Sequence, residues 1–138
     1  MARTLTIPRP VLDAVLAHAR AELPNECCGL LGGSGGCAMA HFPLVNELRS
    51  PTAYRSEPRS MLAAMKAMRR GGLELVAIYH SHPASAPVPS QRDRAENEYG
   101  EVAHLLVGFA GPVPEIGVWQ ITKDRCEAIE WVISDVTT

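Results

Sequence analysis

What this chain lacks narrows it first. Its 138 residues hold no apolar run approaching the length of a membrane span, and the opening Met-Ala-Arg-Thr-Leu-Thr-Ile-Pro lacks the apolar core of a secretory signal. No bilayer-crossing helix is expected, and a cytoplasmic location is. Lysine and arginine number 13 against 15 acidic residues, a formal charge of −2, so no basic surplus points to nucleic acid or to an anionic membrane. The four cysteines, Cys27, Cys28, Cys37 and Cys126, include no Cys-x-x-Cys pair, which predicts reduced thiols. His-x-Glu and Pro-Cys-x-x-Cys are both missing, and with them the signature of zinc nucleobase deaminases. Internal repeats, linkers and low-complexity tails are absent as well.

What is present suits one ordinary globular domain over residues 1–138: 46% hydrophobic residues and a length sufficient for a single core. Leu5 to Ile7 reads as a short strand. Val11, Leu12, Val15, Leu16 and Ala19 recur at helical spacing, so a helix should run to about Glu22, stopped by Pro24. Cys28 to Leu31 is a predicted strand, Gly32 to Gly36 its turn, and Cys37 to Leu44 the hairpin partner. Asn46 to Pro58 reads as an irregular loop able to line a cleft, with ordinary loop polar residues. A second helix is expected over Arg59 to Arg70, its Met61, Leu62, Met65 and Met68 forming one packed face, with Gly71-Gly72 ending it. Later strand candidates are Val102 to Phe109, Glu115 to Ile121 and Cys126 to Ile133, with turns at Gly111-Pro112 and Lys123-Asp124. Trp119 and Trp131 read as core or sheet-face aromatics on adjacent strands. The sum is an α+β domain, a curved and mostly antiparallel sheet flanked by helices.

The chemistry concentrates in one stretch. Leu75 to Tyr79 is an unbroken apolar run that reads as a buried strand. If the chain stays extended beyond it, the two-residue period puts the imidazoles of His80 and His82 on one face. Pro83 favours that, because the residue before proline is pushed toward extended geometry. The proline-rich segment Ala84 to Pro89 is a stiff loop, and Ser90 opens a polar, helix-compatible run from Gln91 to Tyr99. Ser90 and Asp93 have the spacing of a capping box, which explains them without any catalysis. The other reading joins Asp93 to the two histidines. Two imidazoles and one carboxylate make the three-ligand set of a catalytic zinc site, with the fourth position left for water.

His80-Ser-His82-Pro followed by Pro89-Ser90-x-x-Asp93, with Pro24-Asn-Glu26-Cys-Cys28-Gly29-Leu-Leu31-Gly32 upstream, resembles the paired motifs of the JAMM (MPN+) zinc metallopeptidases, in a minimal, prokaryotic-type form. The resemblance implies the same α+β architecture, one zinc ion per chain on His80, His82 and Asp93, Glu26 as general base, and Ser90 as hydrogen-bond donor to the oxyanion. It also implies a substrate: the amide bond after the C-terminal Gly-Gly of a ubiquitin-like or sulfur-carrier protein, of the ThiS or MoaD kind. Two alternatives stay open. One is a non-catalytic MPN-type scaffold, against which the retention of all five residues argues, and the other a RadC-like DNA-associated relative. A cysteine nucleophile at Cys27 or Cys28 would leave the histidine motif unexplained, and Cys28 reads as a small buried hydrophobe. Ser81 is expected to orient backbone at the site. His18 and His41 read as solvated and strand-end residues, and His104 as a core histidine or an outer neighbour of the metal site. Open sheet edges would allow a homodimer.

Overall fold

The computed structural model describes residues 4–97, 100–122 and 124–135. The far end of the expected helical run, at Tyr99, and the turn residue Lys123 fall outside them. Strand β1 (Thr4–Pro8) leads into helix α1 (Arg9–Glu22), where Pro10 sits in the first turn, the position at which proline's missing N–H costs nothing. Val11, Leu12, Val15 and Ala19 are buried, as their spacing predicts. The hairpin follows as β2 (Cys28–Ser34) and β3 (Cys37–Leu44). Its turn is tighter than expected. Only Gly35 and Gly36 leave the ladder, with φ of +59° and +78°, the left-handed pair that a two-residue hairpin turn needs. Gly32 and Gly33 stay in β2, where the register with β3 shifts by one residue.

Helix α2 (Pro58–Arg70) is capped by the Glu57 carboxylate, which accepts from the backbone N–H groups of Arg59 and Ser60 at 2.7 and 3.0 Å. Its apolar face is narrower than expected. Met68 and Ala64 are buried and Met61 packs beside them, while Leu62 and Met65 are 57% and 49% exposed. Residues 61, 64 and 68 form one stripe on the sheet, and the neighbouring positions rotate outward. Strand β4 (Glu74–His82) is buried over its last six residues. Helix α3 (Gln91–Ala95) ends well short of Tyr99. The reason lies just beyond it: Asn97 turns its side-chain amide to the carbonyl of Ile121 at 2.8 Å and pins the chain to the sheet. The last strands are β5 (Ala103–Gly108), β6 (Glu115–Ile121), β7 (Cys126–Ala128) and β8 (Glu130–Ser134).

These strands form one sheet in the order β7-β6-β5-β4-β2-β3-β1-β8. It is mixed: β2–β3, β2–β4, β5–β6 and β6–β7 are antiparallel, while β4–β5, β1–β3 and β1–β8 are parallel. The expected single strand from Cys126 to Ile133 is in fact two, and they lie at opposite margins of the sheet with only Ile129 between them. The sheet must therefore curl until its margins meet. Ile129 marks the join, its N–H bonded to the Val118 carbonyl at 2.8 Å while its side chain packs on the core. Trp119 and Trp131 accordingly sit on β6 and β8, which are not neighbours in the sheet.

Two apolar clusters follow from the alternation along β4. Ala77 and Tyr79 face α1, Leu31, Leu105 and Val107, whereas Ile78 faces α2, Leu30 and Leu44. Tyr79 lies over Gly29, where a Cβ would come within 2.2 Å of the ring, so the glycine of the upstream motif is a packing requirement. The Tyr79 hydroxyl reaches His18 Nδ1 at 2.7 Å, which makes His18 a partner of the core instead of a solvated residue.

Candidate metal centre

The metal-ligand hypothesis requires β4 to remain extended through His82, and it does. His80 and His82 share the face of Ile78 and bring their Nε2 atoms to 3.3 Å. Pro83 then turns the chain into the 84–89 loop. That loop is fastened at two points: His82 Nδ1 lies 2.9 Å from the Ala86 carbonyl, and the Trp119 indole N–H donates to the Pro87 carbonyl at 2.8 Å. Trp119 is thus only half-buried and holds the loop, a role its position on an apolar strand did not signal. The fastened loop delivers α3 to the end of β4. Asp93 Oδ1 stands 3.1 Å from His80 Nε2, and Oδ2 stands 3.0 Å from His82 Nε2.

These spacings can be compared with what an ion would require. Ligand atoms about 2.0–2.1 Å from a tetrahedral zinc lie roughly 3.3 Å from one another. The three donor groups offer one atom each within 4.8 Å of one another, close enough to draw in around a single ion, and two imidazoles with one carboxylate suit zinc chemically. The capping box is present at the same time: Ser90 Oγ accepts from the Asp93 N–H at 3.0 Å, and Asp93 Oδ2 accepts from the Ser90 N–H at 2.9 Å. The two readings of Ser-x-x-Asp are therefore compatible. The cap orients the carboxylate that faces the histidines.

The electrostatics favour a cation here. Burial pushes the His80 imidazole toward its neutral, lone-pair form. For His82 burial acts in the same direction, but the Asp93 carboxylate and the Ala86 carbonyl outweigh it and raise the pKa. Burial would also raise Asp93, yet hydrogen bonds from His80 and His82 hold its carboxyl well below the usual range.

Glu26 reaches the site just ahead of strand pairing. Cys28, the first residue of β2, lies opposite His80 of the antiparallel β4, so continuing that register two residues before β2 sets Glu26 level with His82. The backbone there is tied on three sides. Ser81 Oγ accepts from the Cys27 N–H at 2.8 Å, the Glu26 N–H donates to the Ser50 carbonyl at 2.8 Å, and Asn46 Nδ2 donates to the Glu26 carbonyl at 3.1 Å. Glu26 is 5% exposed and its Oε1 has no protein partner. Burial raises its pKa to about 7, with His82 opposing and Asp93 reinforcing that shift. Cys27 and Cys28 are pushed up to about 11 and 12 by burial, the opposite of an activated thiol.

Two further residues were not singled out by sequence. Tyr54 lays its ring over His80 with centroids 4.6 Å apart. Asn46 uses its whole amide: Nδ2 to the Glu26 and Ala53 carbonyls, Oδ1 to the Leu48 and Arg55 N–H groups. A loop asparagine carries no spacing signal, so only contacts reveal it. Asn46→Ala is expected to lower stability by about 3 kcal/mol, because four buried or half-buried backbone groups lose a partner; urea denaturation measures this, and a loss under about 0.5 kcal/mol would contradict the assignment. The 45–57 loop does line a cleft, a cavity of about 430 Å³ beside His80 and Asp93 whose walls include Tyr54, Arg55, Arg92 and His104.

Comparison with known proteins gives the same picture. The family described as prokaryotic homologs of the JAB domain matches residues 8–122. A Thermus thermophilus protein named "Probable TtuB-protein conjugate cleaving protease" is 41% identical over 108 residues, 78% of this chain and 72% of that protein. The CysO-cysteine peptidase of Mycobacterium tuberculosis is 40% identical over 110 residues, 78% of this chain and 75% of that protein. A solution structure from Desulfitobacterium hafniense superposes with a TM-score of 0.87 at 34% identity, covering 96% of this chain and 94% of that one. With the paired motifs folded onto one site and this match across most of its length, the chain belongs to the prokaryotic JAB (JAMM/MPN) domain family.

Proposed function

We propose that this protein is a zinc-dependent peptidase that hydrolyses the amide bond after the C-terminal Gly-Gly of a ubiquitin-like or sulfur-carrier protein. The observation that supports the reading is the buried Glu26, whose Oε1 has no protein partner and which strand register sets level with His82, within electrostatic reach of His82 and Asp93. A scaffold would have no use for it: leaving a carboxylate oxygen buried without a hydrogen bond is unfavourable. The relatives that cleave TtuB conjugates and CysO-cysteine support the substrate class.

His80 and His82 would hold the ion through Nε2, and Asp93 through a carboxylate oxygen. When bound, zinc acidifies a water molecule and polarises the substrate carbonyl. Glu26 supplies the proton handling. Burial raises its carboxyl above the ordinary range in the zinc-free protein, which makes it a stronger base for the proton of the attacking water, returned afterwards to the leaving amine. Ser90 contributes differently. Its oxygen is engaged by the Asp93 N–H, which leaves the hydroxyl hydrogen available for the developing oxyanion.

The direct test incubates the zinc-loaded protein with sulfur-carrier proteins extended beyond Gly-Gly, with and without a chelator, and follows cleavage by mass. Cleavage at the glycine that the chelator stops is the expected result; intact carriers across a panel would reject the substrate assignment. Ser90→Ala separates its two roles. Loss of the cap costs about 1 kcal/mol of stability. Loss of an oxyanion donor lowers turnover roughly 10²- to 10³-fold. A rate loss of that size with zinc retained is expected, and zinc loss in proportion to rate loss would reduce Ser90 to a helix cap.

A further inference from the structure

His104 is the buried polar residue that this reaction does not use. It is 2% exposed, and neither ring nitrogen has a protein partner. A wholly structural histidine would be expected to satisfy at least one of them, since a buried unpaired donor or acceptor is unfavourable. Its position is informative. In the parallel pair β4–β5, His104 lies beside Ile78 and Leu106 lies beside His80, so His104 is the diagonal neighbour of His80 on the same face of the sheet. Both residues line the cavity of about 430 Å³, and His80 and Asp93 are the ionisable groups that act electrostatically on His104.

His80 has a matching need. Its Nε2 faces Asp93 and His82, so as a ligand it would carry its proton on Nδ1. That Nδ1 is also buried without a protein partner, in contrast to His82, whose Nδ1 meets the Ala86 carbonyl. Histidines that ligate metals almost always donate the second nitrogen to an acceptor, which sets the tautomer and the ring orientation. Two hydrogen bonds of about 2.9 Å each, meeting at a tetrahedral angle, let one solvent molecule bridge nitrogens roughly 4.7 Å apart, and a polar cavity of this size has room for it.

We propose that His104 is a positioning residue for the metal site, accepting the Nδ1 proton of His80 through a solvent molecule in this cavity. The inference rests on the zinc reading and adds a residue to it. Tyr54 packs its ring on the same imidazole with centroids 4.6 Å apart, so ring stacking and a solvent bridge together hold His80 in its ligating orientation.

The test uses the full chain with His104→Leu and His104→Gln. Zinc affinity is read by chelator competition, the His80 Nδ1 proton by ¹⁵N-resolved NMR of the zinc-loaded protein, and stability by melting of the zinc-stripped protein. His104→Leu should weaken zinc roughly 10- to 100-fold and expose the Nδ1 proton to fast exchange, while the zinc-stripped variant melts no lower than the parent. His104→Gln, which keeps an acceptor, should recover most of the affinity. Zinc affinity in His104→Leu within about twofold of the parent, or no recovery by glutamine, overturns the proposal. In the unaltered zinc-loaded protein, a His80 Nδ1 proton that exchanges freely overturns it whether or not either variant folds. A parent protein that binds no zinc in the same titration fails the underlying reading instead, and takes this inference with it.

Discussion

His82→Ala is expected to strip the protein of its zinc: from about one ion per chain to under about one tenth after dialysis, with conjugate cleavage falling at least about 10³-fold. The site has three protein donors, and two do not complete the set that catalytic zinc uses. Removing His82 also removes the hydrogen bond to Asp93 Oδ2 at 3.0 Å and the tie to the Ala86 carbonyl at 2.9 Å, so the remaining carboxylate loses an orienting contact. The fold should survive. His82 is the last residue of β4 and contributes to neither apolar cluster. Elemental analysis of the dialysed protein beside its circular dichroism spectrum decides the matter, and full zinc retention by a folded variant would show that the ligands lie elsewhere.

Glu26→Gln should do the reverse, keeping zinc and losing turnover by roughly 10²- to 10⁴-fold, the range a positioned general base contributes. A second, independent consequence concerns pH. Burial raises the Glu26 carboxyl from 4.5 to about 7 in the zinc-free protein. Between those values the folded chain retains a proton that the unfolded chain has lost. The contribution to stability is complete below pH 4.5 and is lost as pH rises through about 7. Its full size is about 3 kcal/mol. Glutamine does not ionise, so zinc-free Glu26→Gln should gain on the parent as pH rises from about 4.5 to 8, and urea denaturation across that range reads the widening gap. A gap that stays constant would mean the carboxylate is solvated and poorly suited to be the base.

Much of this centre was legible before any fold was known, because its local geometry is short-range. A period of two over His80 and His82 and the constraint from Pro83 act within a few residues, and both hold in β4. Local spacing allows Ser90 and Asp93 two explanations, and the structure contains both at once: the cap is what aims the carboxylate. Where the reading of elements failed, a long-range contact was responsible. Nothing between Cys126 and Ile133 announces a break, because the break comes from two distant partners, β6 and β1, claiming the two halves of one extended run. The buried face of α2 is narrower than its methionine spacing predicts for a similar reason: helical spacing marks a stripe, and the neighbouring sheet decides how much of it is covered.

Local spacing marked out His80, His82 and Asp93 as candidate donors on one strand and one helix start, and the family resemblance pointed to the upstream segment that would complete them. Tertiary contacts alone set Glu26 level with His82, hold its backbone there through Asn46 and Ser81, and fasten the loop ahead of Asp93 through Trp119. The physical difference is one of range. Backbone dihedral preferences and side-chain alternation are written into neighbouring residues, whereas the register of Cys28 opposite His80 joins positions 52 residues apart and is selected by how the whole sheet buries its two faces.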